Sequence, residues 1–240
     1  MSEPIYSTRV LDPFMRLVSS RYPDVDINEI LAHAQITPWE MADHSHWLTQ
    51  EQVNQFYEKA VELTGNTTLA REAGQFGASP EVFGALRSYM LSFMTPMAVF
   101  SRVGEAISRF TKSSEYLPRQ LSSRAVEITV IPRKGVQEEP FQCENRLGVF
   151  EAVVRALHYR EKLIDHPECL FKGGACCRYM ISWQNTPVVH VRRALQAGLV
   201  LTPVVVMVGA IWWPHDMLVI ILASVAGLSL LFGLEKHYRL

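Results

Sequence analysis

The chain has 240 residues, 48% of them hydrophobic, with 23 basic against 24 acidic side chains and a formal charge of −1. A strong basic excess is the footprint of nucleic-acid binding, and the even balance argues against a nucleic-acid partner. Disorder is excluded by the same figures, because it goes with low hydrophobicity and high net charge.

Residues 9–112 read as a succession of amphipathic helices. Leu11, Phe14, Met15, Leu17 and Val18 share one face of a first helix, which ends near Arg21-Tyr22-Pro23. Asp26 or Asn28 caps a short helix through Ile30 and Leu31. Thr49 and Gln52 have the spacing of a capping box, followed at helical period by Val53, Phe56, Tyr57, Ala60 and Leu63. Gly65-Asn66 stops that helix, and a shorter one covers Leu69–Gln75. After a long apolar segment from Val82 to Met94, Thr95-Pro96 restarts the chain as cap and first helical residue of a helix from Met97 to about Phe110.

Between Arg87 and Arg102 no side chain is charged, and Tyr89, Met90, Phe93, Met94, Met97 and Phe100 interleave methionine with aromatic rings. Such a stripe is either core or the wall of an apolar ligand pocket, since methionine adapts to irregular shapes. Phe150, on a later helix, is the remaining candidate for that wall.

From Pro118 the period changes. Val126, Ile128 and Val130 alternate with Glu127 and Thr129, as in a half-buried strand. Leu147–Tyr159 returns to a helix, and Leu163–Phe171 and Ala175–Trp183 form two strands around Lys172-Gly173-Gly174. Helices followed by strands with one helix among them predict an α+β fold with an antiparallel sheet.

All four cysteines fall in this second part. Cys143, His166, Cys169 and Cys177 supply the ligand set of a tetrahedral structural zinc, with the predicted hairpin bringing three of them together. Four buried inert thiols and a surface histidine are the other reading of the same spacing. Adjacent strand residues face opposite ways, so Cys176 and Cys177 cannot both be ligands.

The arrangement C-x22-H-x2-C-x7-C, with Gly173-Gly174 before the last cysteine and Arg178-Tyr179 after it, resembles the 4-vinyl-reductase-type small-molecule-binding domain. That family is fused to bacterial regulators and shares its fold with haem nitric-oxide-binding domains. The resemblance spans roughly residues 48–185, with residues 1–47 similar to a helical extension on some bacterial sensors. It implies zinc on Cys143, Cys169 and Cys177, with His166 standing where the family has an acidic residue and Glu168 as a substitute ligand. The family's phenol sensors anchor their ligand with a histidine and a tryptophan in mid-domain. Here no histidine lies between His46 and His158 and no tryptophan between Trp47 and Trp183, which favours a more apolar ligand such as an acyl chain.

The remainder of the chain has a different character. The mean hydropathy of +0.06 is an average, because 43 of the 47 charged residues precede position 194. Ala194–Ile211 and Met217–Gly233 carry no charge over 18 and 17 residues, near the ~17–25 that span a bilayer. Trp212-Trp213-Pro214-His215-Asp216 between them is an interfacial, turn-prone break. Arg192 and Arg193 before the first span and Lys236 and Arg239 after the second place both ends in the cytoplasm, and no apolar leader opens the chain.

The predicted organisation is an extension over 1–47, a ligand-sensing α+β domain over 48–187 with a zinc-clamped β-hairpin, and a transmembrane hairpin over 188–240. The expected function is a sensor tethered to a bacterial inner membrane that binds a small hydrophobic molecule and regulates a signalling output such as a histidine kinase or nucleotide cyclase. A membrane scaffold without ligand is the alternative. A reductase is a third reading, weakened by the lack of a nucleotide fingerprint. Gly198, Gly209 and Gly227 offer small-residue contacts for a homodimer.

Overall fold

Each N-terminal helix begins where a side chain satisfies its free amide groups. A computed structural model describes residues 3–77, 94–212, 215 and 217–239. Helix α1 (Asp12–Arg21) carries Pro13 in its first turn, and the Asp26 carboxylate caps α2 (Ile27–His33). Thr37 and Glu40 form a capping box on α3 (Pro38–Ala42), and Thr49 and Gln52 form the predicted one on α4 (Gln50–Thr64). Gly65 ends α4 at φ +64°, a left-handed conformation that favours glycine. Helix α5 (Leu69–Gly77) follows.

These helices bury Leu17, Val18, Ile30, Phe56, Ala60 and Leu69 in one apolar cluster. Tyr6 and Ser7 (β1) pair with Leu48 and Trp47 (β2), so the boundary expected at residue 47 runs through this core.

The predicted helix over 97–110 is two short ones, α6 (Pro96–Phe100) and α7 (Val103–Ile107). Thr95 caps α6 as expected. Gly104 in α7 lies so close to the backbone of Tyr116 that a Cβ would meet its carbonyl oxygen at 2.8 Å. Close docking on the next strand thus accompanies the break.

Four strands make the main sheet in the order β3 (Ser114–Ser122), β4 (Ala125–Pro132), β6 (Cys177–Gln184), β5 (Arg160–Glu168). Strands β3 and β4 are antiparallel with Tyr116 opposite Val130, and β4 and β6 are antiparallel with Val130 opposite Cys177. The alternation of Val126, Ile128 and Val130 places all three in the core. Glu127 on the other face accepts hydrogen bonds from Arg119 (3.0 Å) and Arg178 (3.1 Å).

Helix α8 (Pro140–Ala156) begins seven residues earlier than predicted, at a Glu139–Gln142 capping box followed by Pro140. It packs against α5 through two glycines. A Cβ on Gly74 would collide with the Asn145 carbonyl oxygen, and one on Gly148 with that of Arg71.

Two units result, one of residues up to 157 with 161–183 and one of residues 158–160 with 184–240. The second holds α9 (Pro187–Trp212) and α10 (Met217–Arg239). Both are long and apolar enough to cross a membrane. They pack on each other at Gly209, where a Cβ would lie 2.6 Å from Ile220 Cδ1. Arg192 donates to Glu235 at 3.2 Å between the start of α9 and the end of α10.

Candidate metal centre and ligand cavity

The hairpin between β5 and β6 is wider than a tight turn, and its backbone wraps Cys169. The Cys169 carbonyl accepts from the amides of Lys172 (3.0 Å) and Gly174 (2.9 Å) across a 3-10 turn. Gly173 sits at φ +86°, and a Cβ on Gly174 would meet the Cys169 carbonyl oxygen at 2.9 Å. The glycine pair is therefore required by the close wrapping of the loop. Cys177 opens β6, and Cys143 projects from the first turn of α8.

Those elements converge on one point. Ligand atoms of Cys143, His166, Cys169 and Cys177 all lie within 4.8 Å of one another. The Cys143 and Cys177 sulfurs are 3.5 Å apart, and all four cysteines are free thiols. The His166 Nε2 is buried without a hydrogen-bonding partner among the described residues, and its ring stacks on Tyr179 at 4.2 Å. The contact with Cys143 pulls the Cys177 thiol below the ordinary range against the opposing effect of burial. The same contact and burial push the Cys143 thiol up.

Three soft sulfurs and an imidazole form a donor set for a thiolate-preferring metal ion. Cys176 lies outside the cluster. Glu168 is turned away from it, accepting from Arg178 (3.1 Å) and the Ala175 amide (3.2 Å).

The expected ligand wall is distributed differently. Tyr89, Met90 and Phe93 lie outside the described residues. Met94 and Met97 are half-buried, and Phe100 and Phe150 are buried in edge-to-face contact at 5.9 Å. Their rings belong to a column running from Trp183 through Phe100, Phe150 and Tyr179 to His166.

A cavity of about 100 Å³ lies elsewhere, between α1, α4, β3 and α8. Phe14, Phe56, Tyr57 and Phe141 supply aromatic surface, while Gln142 and Arg146 bring polar groups from α8. The Gln142 amide donates to Tyr6 (2.7 Å), whose hydroxyl donates to Gln50 (2.6 Å). Arg146 Nε donates to the Tyr116 hydroxyl at 2.8 Å, and Nη2 pairs with Glu138. Glu138 also accepts from Ser113 (2.9 Å) and Ser114 (2.5 Å). Burial works to raise the Glu138 carboxyl, but the Arg146 guanidinium and the two hydroxyls outweigh it and hold the group below the ordinary carboxylate range.

Sequence reasoning missed Arg146 and Glu138, because polar residues on a helix and in a loop read as solvent-facing. The Glu139–Gln142 capping signal, which starts α8 early enough to include Cys143, was the available clue.

Comparison with solved structures identifies the fold. An H-NOX protein from S. oneidensis in the Fe(II) ligation state matches with a TM-score of 0.59 at 11% identity, covering 75% of this chain and 96% of that one. A structure from work on haem distortion in the H-NOX family gives 0.59 at 14% identity, with 75% and 96% covered. An oxygen-binding H-NOX domain related to soluble guanylate cyclases gives 0.54 at 13% identity, with 75% and 95% covered. The chain therefore has the fold of these H-NOX domains. No curated protein sequence matches it.

These neighbours correct the expectation of zinc as the cofactor: proteins of this fold are described by their haem and Fe(II), and the Cys/His cluster itself specifies no particular ion. Haem in turn does not fit the cavity described above. The cavity of about 100 Å³ is below the roughly 300–1,000 Å³ of pockets that enclose larger ligands, and no histidine or cysteine lines it.

One family model covers more than half of the sequence, over residues 25–167. The chain belongs to the family that this model describes, the arabinose-binding domain of AraC transcription regulators, N-terminal.

Proposed function

We propose that residues 3–183 form a small-molecule sensor in which helix α8 couples a ligand cavity to a metal clamp. One observation carries this reading. Within little more than one turn, α8 presents Cys143 to the thiol–imidazole cluster and Gln142, Asn145 and Arg146 to the cavity. A shift of α8 on ligand binding therefore acts directly on the clamp that joins it to the β5–β6 hairpin. A ligand that binds one arrangement better than another biases the equilibrium between them.

The family description and the fold both support a sensing role. Arabinose, named in that description, is small and uncharged. Its lack of charge agrees with a cavity whose buried cation, Arg146, is neutralised by Glu138, while its size exceeds what about 100 Å³ encloses. Cys143, His166, Cys169 and Cys177 would hold one thiolate-preferring metal ion, which supplies a cross-link between α8 and the hairpin rather than a reaction centre.

The proposal extends to the second unit. Helices α9 and α10 tether the sensor to a bacterial inner membrane, with basic residues Arg192, Arg193, Lys236 and Arg239 keeping both ends cytoplasmic. Gly227, which has no neighbour within 4 Å, supports a homodimer, and the output passes to a signalling partner of the kinase or cyclase type. Elemental analysis and native mass spectrometry of the full chain in detergent test the reading. One metal ion per chain, lost in Cys169→Ser, and a retained small molecule are expected. A chain that carries neither metal nor small molecule overturns the sensor in favour of a membrane scaffold.

A further inference from the structure

Strand β6 turns alternate side chains inward, and Cys177 and Tyr179 are both buried on that face. The Tyr179 ring lies against two neighbours. It stacks on the His166 imidazole at 4.2 Å with the planes 15° apart, and it meets Phe150 of α8 edge-to-face at 5.3 Å. Cys143 stands seven residues before Phe150 and so shares its face of that helix. The ring is thereby held among β5, β6 and α8, which carry three of the four clamp residues.

This packing accounts for the ring but not for its hydroxyl. The oxygen is buried and forms no hydrogen bond of ordinary geometry among the described residues. The ionisable groups that act on it are Arg146, Cys143 and Cys177. Arginine has no acceptor, so only a sulfur can receive the hydroxyl's hydrogen bond. Cys143 is the sulfur within its hydrogen-bonding reach. A thiol accepts weakly, whereas a thiolate is charged and accepts strongly. Ligation of a metal requires the thiolate.

We infer that Tyr179 is a positioning residue of the clamp: its hydroxyl donates to the Cys143 sulfur when that sulfur binds a metal ion, while its ring holds the His166 imidazole in place. This rests on the proposed clamp and adds the residue that tunes it. A donor that is poorly paired beside a thiol and well paired beside a thiolate adds to metal affinity. It adds nothing to the stability of the metal-free chain.

Cobalt(II) is the probe, because its thiolate charge-transfer bands report the electron density on sulfur. The full chain in lipid nanodiscs, reduced and stripped of metal, is titrated with cobalt(II) against a competing chelator. Tyr179→Phe keeps the ring on His166 and removes the hydroxyl. It should still bind one cobalt(II) per chain, but about 10–100-fold more weakly, as loss of a group that supports a metal ligand does. Its charge-transfer band should move to longer wavelength, since a sulfur without that hydrogen bond gives up charge more readily. Melting supplies a second readout. Metal-free Tyr179→Phe should melt no lower than the metal-free wild type, because it discards a poorly paired buried hydroxyl. The rise in midpoint on adding cobalt(II) should be smaller in the variant. Where Tyr179→Phe does not fold, 3-fluorotyrosine at position 179 carries the test. Its more acidic phenol strengthens the bond and should move the band to shorter wavelength.

Wild-type affinity in Tyr179→Phe overturns the inference and leaves the clamp standing, because the metal is still held. An unmoved band, in that variant or with 3-fluorotyrosine, takes the hydroxyl off the sulfur and likewise overturns it. An equal loss of stability with and without cobalt(II) makes Tyr179 a packing residue, with the same consequence. A wild-type chain that shows no thiolate charge transfer with cobalt(II) overturns the clamp itself, and the inference falls with it.

Discussion

Gly74 of α5 and Gly148 of α8 are the two points at which these helices meet backbone to backbone, each beneath a carbonyl oxygen of the other helix. A Cβ on Gly148 would also stand 3.0 Å from the Gln75 amide nitrogen, so no flexible side chain can yield. On a free helix surface, glycine to alanine gains roughly 0.5–1 kcal/mol. Here the sign reverses. Gly148→Ala and Gly74→Ala should each destabilise the first unit by about 1–3 kcal/mol or more, as overpacking does. Chemical denaturation monitored through Trp183 fluorescence reads the effect, and a stabilised Gly148→Ala would show that α8 is not held this closely.

The segment just before the same helix carries the group that makes the fold sensitive to acid. The Glu138 carboxyl lies below its ordinary range in the folded chain, so it contributes stability above the unfolded value of about 4.3. That contribution is lost as pH falls through the folded value. Glu138→Gln strands the Arg146 charge and should cost about 3–5 kcal/mol at neutral pH. The gap to the wild type should close as the pH is lowered from 6 towards 3. Glu151, held low against its burial by Arg71 and Gln75, keeps some acid sensitivity in the variant. Urea midpoints of both proteins across this range check the prediction, and a constant gap would place the linkage elsewhere.

Local signals carried over into the structure where they depended on neighbouring residues alone. Thr49 with Gln52, Thr95 with Pro96, and Gly65 all act at the positions their chemistry indicates. The alternation of Val126, Ile128 and Val130 survived because β4 is an inner strand with one face buried. Strand β3 was illegible for the complementary reason. It is an edge strand, largely exposed beyond Tyr116, and it accommodates Pro118, so it has neither a hydrophobic period nor strand-like composition. The cysteine and histidine cluster was readable from spacing, since a hairpin and an adjacent helix start suffice to assemble it. Arg146 and Glu138 were not, because their burial is created by Tyr116, Ser113 and Ser114 arriving from β3 and the segment before it.

Neighbouring cysteines give a sharp internal control for the proposed metal clamp. Cys177 belongs to the four-residue cluster and Cys176 does not, although each is buried and they are adjacent in sequence. Cys177→Ser should lose most of the bound metal and loosen the hairpin, with faster amide exchange around Cys169. Cys176→Ser should keep the metal content and the melting temperature of the wild type within error. Elemental analysis of both variants reads this directly. Equal loss in the two would mean that the pair acts through general packing instead of ligation.

Arg192 and Glu235 make a corresponding control for the hairpin of α9 and α10. Their hydrogen bond joins the first turns of one apolar helix to the last turns of the other, and both side chains are buried. Two helices that enter and leave a membrane on the same side bring such residues together, whereas helices that separate in the bilayer do not. Breaking a buried pair by removing one partner costs about 3–5 kcal/mol, because the remaining charge is left uncompensated. Glu235→Ala should therefore lower the stability of the detergent-solubilised hairpin by that order, read from helix content during titration with a denaturing detergent. The exchange Arg192→Glu with Glu235→Arg should recover part of the loss, since it restores the pair with its polarity reversed. On the proposed orientation, with both ends in the cytoplasm, it should also weaken their retention there less than loss of Arg192 alone, because Glu235→Arg returns a positive charge to the same side. Labelling of single cysteines placed at the two ends checks that outcome. A hairpin indifferent to Glu235→Ala would show that apolar packing at Gly198 and Gly209 holds the helices without the ion pair.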